Sequence, residues 1–147
     1  MAFEIFRPVS SPGWPLFDVR QDYRTSGFGS CEVSIEVVHV DEDTVSSLLS
    51  ATERLLAQLL ERNEVAAEDI VSAFFTVTDD LRSAFPAEAA RRMGLGRVPL
   101  LCAQEIPVEG SMRGVIRVLL QFHTPRGPAE VNHVYLDGAE TLRDDLG

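Results

Sequence analysis

The chain has 147 residues, 45% of them hydrophobic and 24% charged, the size and composition of one globular domain with a single core. Its formal net charge is −10, from 13 Lys+Arg against 23 Asp+Glu, which argues against a basic footprint for nucleic acid or for an anionic membrane. An anionic ligand would have to be met by arginines concentrated locally, and two cysteines, Cys31 and Cys102, are too few for a disulfide framework.

Residues 1–30 are set apart by Pro8, Pro12, Gly13, Pro15, Gly27 and Gly29 among serines, interrupted by short apolar pieces at Phe3–Phe6 and Trp14–Val19. This composition predicts an N-terminal arm over 1–30, anchored by Trp14, ahead of a domain over 31–147. The opening Met1-Ala2-Phe3-Glu4 lacks the charged and apolar regions of a signal peptide, and no apolar run approaches the length of a membrane span. The expected location is the cytoplasm.

From Cys31 to Val40 apolar Val33, Ile35 and Val37 alternate with Ser34, Glu36 and Val38, which predicts a strand. Asp41-Glu-Asp-Thr44 supplies helix-capping residues, and Leu48, Leu49, Leu55, Leu56, Leu59 and Leu60 recur at helical spacing up to Asn63. A second strand is predicted over Ile70–Val77. Pro86 suits the first turn of a helix that runs to Met93 and is closed by Gly94. Further strands are predicted at Val98–Ile106, Met112–Phe122 and Val131–Leu136, followed by a polar tail. The order strand–helix–strand–helix–strand–strand–strand reads as an α+β fold with a mixed sheet and helices on one face. With so few helices, self-association is the economical way to cover the other face.

His39, His123 and His133 have no Cys or His partner at ligand spacing, so no metal site is expected. No phosphate-binding glycine loop and no nucleophile elbow is present, so no cofactor is expected. Arg117 stands out because it interrupts the apolar run Gly114–Phe122, and a guanidinium cannot shed its charge on burial. It either meets an anionic partner, from protein or ligand, or lies on the solvent side of its strand. Cys102 and Glu105 are three apart, so they would point to opposite faces of a regular strand and share a pocket only at a strand end or bulge.

Taken together, several segments resemble the AroH-class chorismate mutases. Asp80-Leu-Arg-Ser-Ala-Phe-Pro-Ala87, with Arg91 four residues on, is similar to the family's D-L-x-x-x-F-P-A stretch and its following arginine. Val98-Pro-Leu-Leu-Cys-Ala-Gln-Glu105 resembles a V-P-x-x-C-x-Q-E strand, and Gly114-Val-Ile-Arg117 an apolar strand with a central arginine. His133-Val-Tyr-Leu136 and Leu142-Arg-Asp-Asp-Leu146 resemble the closing H-V-Y-L and L-R-P-D-L motifs. The resemblance covers Glu32 to Arg143. It implies a trimeric α+β pseudo-barrel with active sites between subunits, which rearranges chorismate to prephenate without a cofactor or covalent intermediate. By the same resemblance Arg117 would donate to the ether oxygen and a carboxylate, Glu105 and Cys102 would bond the ring hydroxyl, and Tyr135 the enolpyruvyl carboxylate. Phe85, Ala87, Leu101 and Leu142 would line the ring, and Arg91 and Arg143 would stand near the mouth.

The chain departs from the family pattern at three places. Ile35, followed by Glu36, occupies the position of a first-strand arginine followed by glycine that grips the enolpyruvyl carboxylate. Glu88 replaces a basic residue, and Val38 a small polar one. Three readings follow. Arg20 or Arg24 of the arm substitutes for the missing cation. Alternatively, the pocket serves a different, more apolar substrate as a divergent pericyclase or cyclase of specialised metabolism. In the third, the trimer binds a small carboxylated or aromatic metabolite without turning it over.

Overall fold

A computed structural model describes residues 30–146, with side chains from 30 to 142. Trp14, Arg20, Arg24 and the predicted arm lie outside the described residues, as does the Arg143 side chain. The elements run β1 (Ser30–His39), α1 (Val45–Asn63), β2 (Ile70–Val77), α2 (Pro86–Arg92), β3 (Leu100–Gln104), β4 (Val115–Thr124) and β5 (Val134–Leu136). Short 3-10 turns precede β2 and β5, and a longer one closes the chain. The strands form one five-stranded sheet in the order β3-β2-β4-β1-β5. The β1–β4 and β2–β4 pairs are antiparallel, and the β1–β5 and β2–β3 pairs are parallel. This is the α+β mixed sheet that the element order predicts.

Both helices lie on one face. Leu48, Leu55, Leu56 and Leu59 of α1 are fully buried against Val38, Phe75, Ile116, Val118, Leu120 and Phe122 of the strands. Each such leucine contributes about 1.5–3 kcal/mol relative to exposure. Thr44 caps α1, its Oγ1 accepting from Ser47 N at 3.1 Å. The helix ends where Glu64 turns into the left-handed region. Asn63 then staples the end of α1 to the approach to β5: its Nδ2 donates to Asn132 O at 2.9 Å and its Oδ1 accepts from Asn132 N at 2.7 Å.

Three strands are shorter or later than predicted, each for a local reason. Gly114 has φ +67, and a Cβ there would lie 2.4 Å from Val40 O, so the chain crosses tightly before β4 can begin at Val115. Pro99 has no N–H for the ladder, and β3 starts after it. The Asn63 staple engages Asn132 in a loop conformation, and β5 starts at Val134.

The alternation of β1 is resolved in an unexpected sense. The more polar set, Ser34, Glu36 and Val38, faces the helices, and Val33 and Ile35 point to the open side. Glu36 is therefore fully buried, flanked in register by Val118 and Val134, and the buried residues of α1 opposite include no charge. Among the described residues neither carboxylate oxygen has a partner at hydrogen-bond geometry. Burial pushes its pKa up from 4.5 to about 8, and the neighbouring Ser34 hydroxyl offsets this only in part.

A raised carboxyl pKa means that the native state holds a proton the unfolded chain has already lost. Stability is then fullest below the unfolded value, falls as pH rises from 4.5 to about 8, and levels off beyond. A shift of this size corresponds to roughly 4–5 kcal/mol. Glu36→Met should remove most of that decline and make the protein more stable than wild type at pH 8. Denaturant melts of both proteins at pH 5 and pH 8 check this; parallel pH dependence in the two would show that Glu36 is not the group responsible.

Candidate active site

The open face of the sheet is built in rows that run across the strands. In one row Leu101, Phe74, Leu119 and Ile35 stand side by side in register across β3, β2, β4 and β1. This row is apolar yet uncovered, with Leu101 50%, Phe74 46% and Ile35 41% exposed. The adjacent row reads Ala103, Thr76, Arg117, Val37 and Tyr135, and so brings two predicted site residues onto one line. Arg117 sits on the central strand, and its side chain is 39% exposed.

Glu105 answers the charge of Arg117. It follows the last residue of β3, and its N–H donates to Val77 O at 2.9 Å, extending the ladder by one step. The carboxylate thereby reaches the Arg117 face: Glu105 Oε1 accepts from Arg117 Nε at 2.7 Å and from Thr76 Oγ1 at 2.8 Å. Arg117 Nη1 and Nη2 make no hydrogen bond to the described residues. The guanidinium lines a cavity of about 710 Å³ together with Glu105, Met112, Arg113 and Leu142. Tyr135 packs beside it in a small cluster with Val37, Val115 and Leu142.

The base of this cavity is set by the turn at Thr78–Asp80. Thr78 N donates to Val115 O, and Val115 N donates back to Thr78 Oγ1. Asp80 Oδ2 accepts from Gly114 N at 2.8 Å. Burial alone would raise the Asp80 carboxyl. Hydrogen bonds from Thr78, its own N–H and Gly114, with Arg113 nearby, outweigh that and hold it below its ordinary value.

The other predicted residues gather elsewhere. Phe85, 72% exposed, and Cys102 line a second cavity of about 470 Å³ along the β3 edge, with Arg82, Pro86 and Glu88. The 82–83 segment of that cavity is pinned by Asp43, whose carboxylate accepts from Ser83 N and Arg82 N; hydrogen bonding from Ser83 first, then Arg82, lowers its pKa. Glu88 is paired with Arg92 one helical turn on. Ala87 is buried in the core, and Arg91 is exposed on the last turn of α2; neither lines this cavity. Cys102 and Glu105 thus fall into different cavities, which have no lining residue in common.

Thr76, Arg82 and Arg113 escaped the sequence reading. Thr76 and Arg113 acquire their place from strand register and from the Gly114 crossing, for which a single sequence offers no signal. Arg82 lies inside the Asp80–Ala87 stretch, at a position the motif leaves open.

The model of the family chorismate mutase type I matches residues 37–146, beginning just past Ile35. A chorismate mutase AroH of Thermus thermophilus is 50% identical over 110 residues, covering 74% of this chain and 90% of that protein. A chorismate mutase AroH of Bacillus subtilis is 37% identical over 108 residues, covering 73% and 85%. A solved chorismate mutase from Clostridium thermocellum superposes with a TM-score of 0.73 at 38% identity, covering 74% of this chain and 97% of that one. On a match that takes in both helices, strands β2 to β5 and the Glu105–Arg117 pair, the chain belongs to the chorismate mutase type I family.

Proposed function

We propose that this protein is an isomerase that rearranges chorismate to prephenate, working as a homotrimer with its sites between subunits. The observation that carries the reading is Arg117. Its Nε is spent on Glu105, its two terminal nitrogens have no partner among the described residues, and the residue lines a cavity.

The reaction is a concerted [3,3] shift within one molecule. The ether C–O bond breaks as a new C–C bond forms, and no electron, proton or group leaves the substrate. It therefore needs no cofactor. What the protein can supply is a compact reactive conformer and a cation at the ether oxygen, where negative charge grows in the transition state. Arg117 suits that oxygen and a neighbouring carboxylate. Glu105 Oε2, which takes no bond from the described residues, suits the ring hydroxyl, with Cys102 of a neighbouring subunit beside it. Tyr135 suits the enolpyruvyl carboxylate. Phe85, Leu101 and Leu142 supply apolar walls, and Arg91 and Arg143 draw the dianion to the mouth.

The positions of these groups support the assembly. The Phe85–Cys102 cavity and the Arg117–Glu105 cavity are different surfaces of one chain. Bringing the first of one subunit against the second of the next is a heterologous contact, which gives a ring when a threefold rotation closes it. The exposed Leu101–Phe74–Leu119–Ile35 row is the apolar surface such a ring would bury. Among the described residues no helix is long and apolar enough to cross a membrane. A cytoplasmic location suits a chain whose two cysteines are both free.

A second reading rests on Ile35, which places an apolar side chain in that row where the family pattern has a cation. It assigns the pocket to a less charged substrate that undergoes a related pericyclic step.

Purified protein incubated with chorismate should consume it, followed by loss of ultraviolet absorbance; no turnover above background would sink the mutase reading and favour the second. Arg117→Ala should lower kcat by at least about 10²–10³-fold, and Arg117→Lys should recover little, because an ammonium cannot serve Glu105 and the substrate at once. Ile35→Arg should lower KM for chorismate by about tenfold or more, the worth of one charge-assisted hydrogen bond. Sedimentation should give a trimer of the 16.2 kDa chain, and an active monomer would refute the interfacial site.

A further inference from the structure

Glu105 lies past the end of its strand, so the ladder holds its backbone on one side only. Its side chain has three rotatable bonds, and a single contact with Arg117 would let carboxylate and guanidinium swing together. A second point of attachment is present. Thr76 stands directly opposite Arg117 in the β2–β4 register, on the same open face. Its Oγ1 donates at 2.8 Å to Glu105 Oε1, the oxygen that also accepts from Arg117 Nε at 2.7 Å.

We propose that Thr76 is a positioning residue: its hydroxyl fixes the rotamer of Glu105, and Glu105 in turn fixes the direction in which Arg117 presents its terminal nitrogens. Three features make Thr76 suited to this. A β-branched side chain on a strand has a stiff χ1, so the hydroxyl has a defined direction. Threonine is uncharged, so it anchors the carboxylate without competing for the positive charge of Arg117. Both donors converge on Oε1, which leaves Oε2 and the Arg117 terminal nitrogens for a ligand. A lysine in place of the threonine would hold the carboxylate more strongly but would weaken its grip on Arg117.

The consequence is specific. Removing the hydroxyl leaves the charge of Arg117 in place, so attraction of an anionic substrate persists. What is lost is aim, and a misplacement of about 1 Å at a reacting centre costs on the order of 10²-fold in rate. Thr76→Val keeps the shape and the strand propensity of the residue and deletes only the donor; Thr76→Ser restores the donor on a less constrained side chain.

The kinetic part of the test rests on the chorismate reading, so it is paired with a measurement that needs no substrate. In the full-length protein, Thr76→Val should lower kcat by about 10–100-fold with KM within about threefold of wild type. The thermal midpoint should stay close to wild type, and Thr76→Ser should recover most of the rate. In ligand-free protein labelled with ¹⁵N-arginine, the Arg117 Nε–H resonance should be protected from exchange in wild type and Thr76→Ser, and should shift and exchange faster in Thr76→Val. An Arg117 resonance unchanged in Thr76→Val would overturn the proposal, as would an unchanged kcat, a loss that serine fails to rescue, or a loss that tracks a fall in thermal midpoint. If the wild type turns over no chorismate, the functional reading falls, and the Arg117 Nε–H comparison alone decides the role of Thr76.

Discussion

Arg117 sits on the central strand of the sheet, and its charge sets terms for everything around it. A guanidinium partly removed from water is best answered by a carboxylate at close range. The neighbouring positions of the row, Thr76 and Val37, cannot provide one. The carboxylate comes instead from Glu105, carried across by one extra ladder bond beyond the end of β3. The choice of nitrogen matters as much as the pairing. A fork through both terminal nitrogens would have been the stronger salt bridge, but it would have used up the donors that face the cavity. Pairing through Nε answers the half-exposed charge and leaves the terminal nitrogens without a partner among the described residues.

The two faces of the sheet divide the labour differently from what their composition suggests. The helix-facing side of β1 accepts Ser34 and Glu36, and the open side keeps Val33 and Ile35. In an isolated chain that distribution would be the wrong way round. It is sensible when the open face is covered by another subunit, as the proposed assembly has it. The residual cost falls on Glu36, whose carboxyl holds its proton more tightly than an exposed one because burial among α1 leucines and strand valines disfavours the charged form. The rest of the core, with its fully buried leucines and phenylalanines, is large enough to carry one neutral acid.

Much of this fold is legible in the sequence, because the features that specify it are local. The leucine spacing from Leu48 to Leu60, the Thr44 cap, Pro86 at a helix start and Gly94 at its end each report a structure made within a few residues. Strand limits are less legible, since they depend on partners far along the chain: Asn63 halts β5, and Val40 O makes Gly114 the only tolerable residue where β4 begins. The site is legible in part. Motif spacing identifies Arg117 and Glu105 but does not say that they pair, because their contact spans two strands. The separation of Cys102 from Glu105 follows from the two-residue strand repeat, and the structure bears that out by putting them in different cavities. Thr76 was invisible because its importance comes entirely from register.

The position of Ile35 separates two quantities that usually change together. On the rows of the open face, Arg117 is the one permanent cation among the described residues, and part of its charge is already answered by Glu105. A dianionic substrate approaching a chain of net charge −10 would be held weakly in its ground state. Rate acceleration depends on something else, the difference between ground-state and transition-state interaction. Charge on the ether oxygen exists only as the bond breaks, and in the proposed site Arg117, with Glu105 and Thr76 bonded behind it, is the group that meets it. Weak capture and effective rearrangement are therefore compatible in the proposed site, which assigns the loss at Ile35 to KM and the retention of Arg117 to kcat.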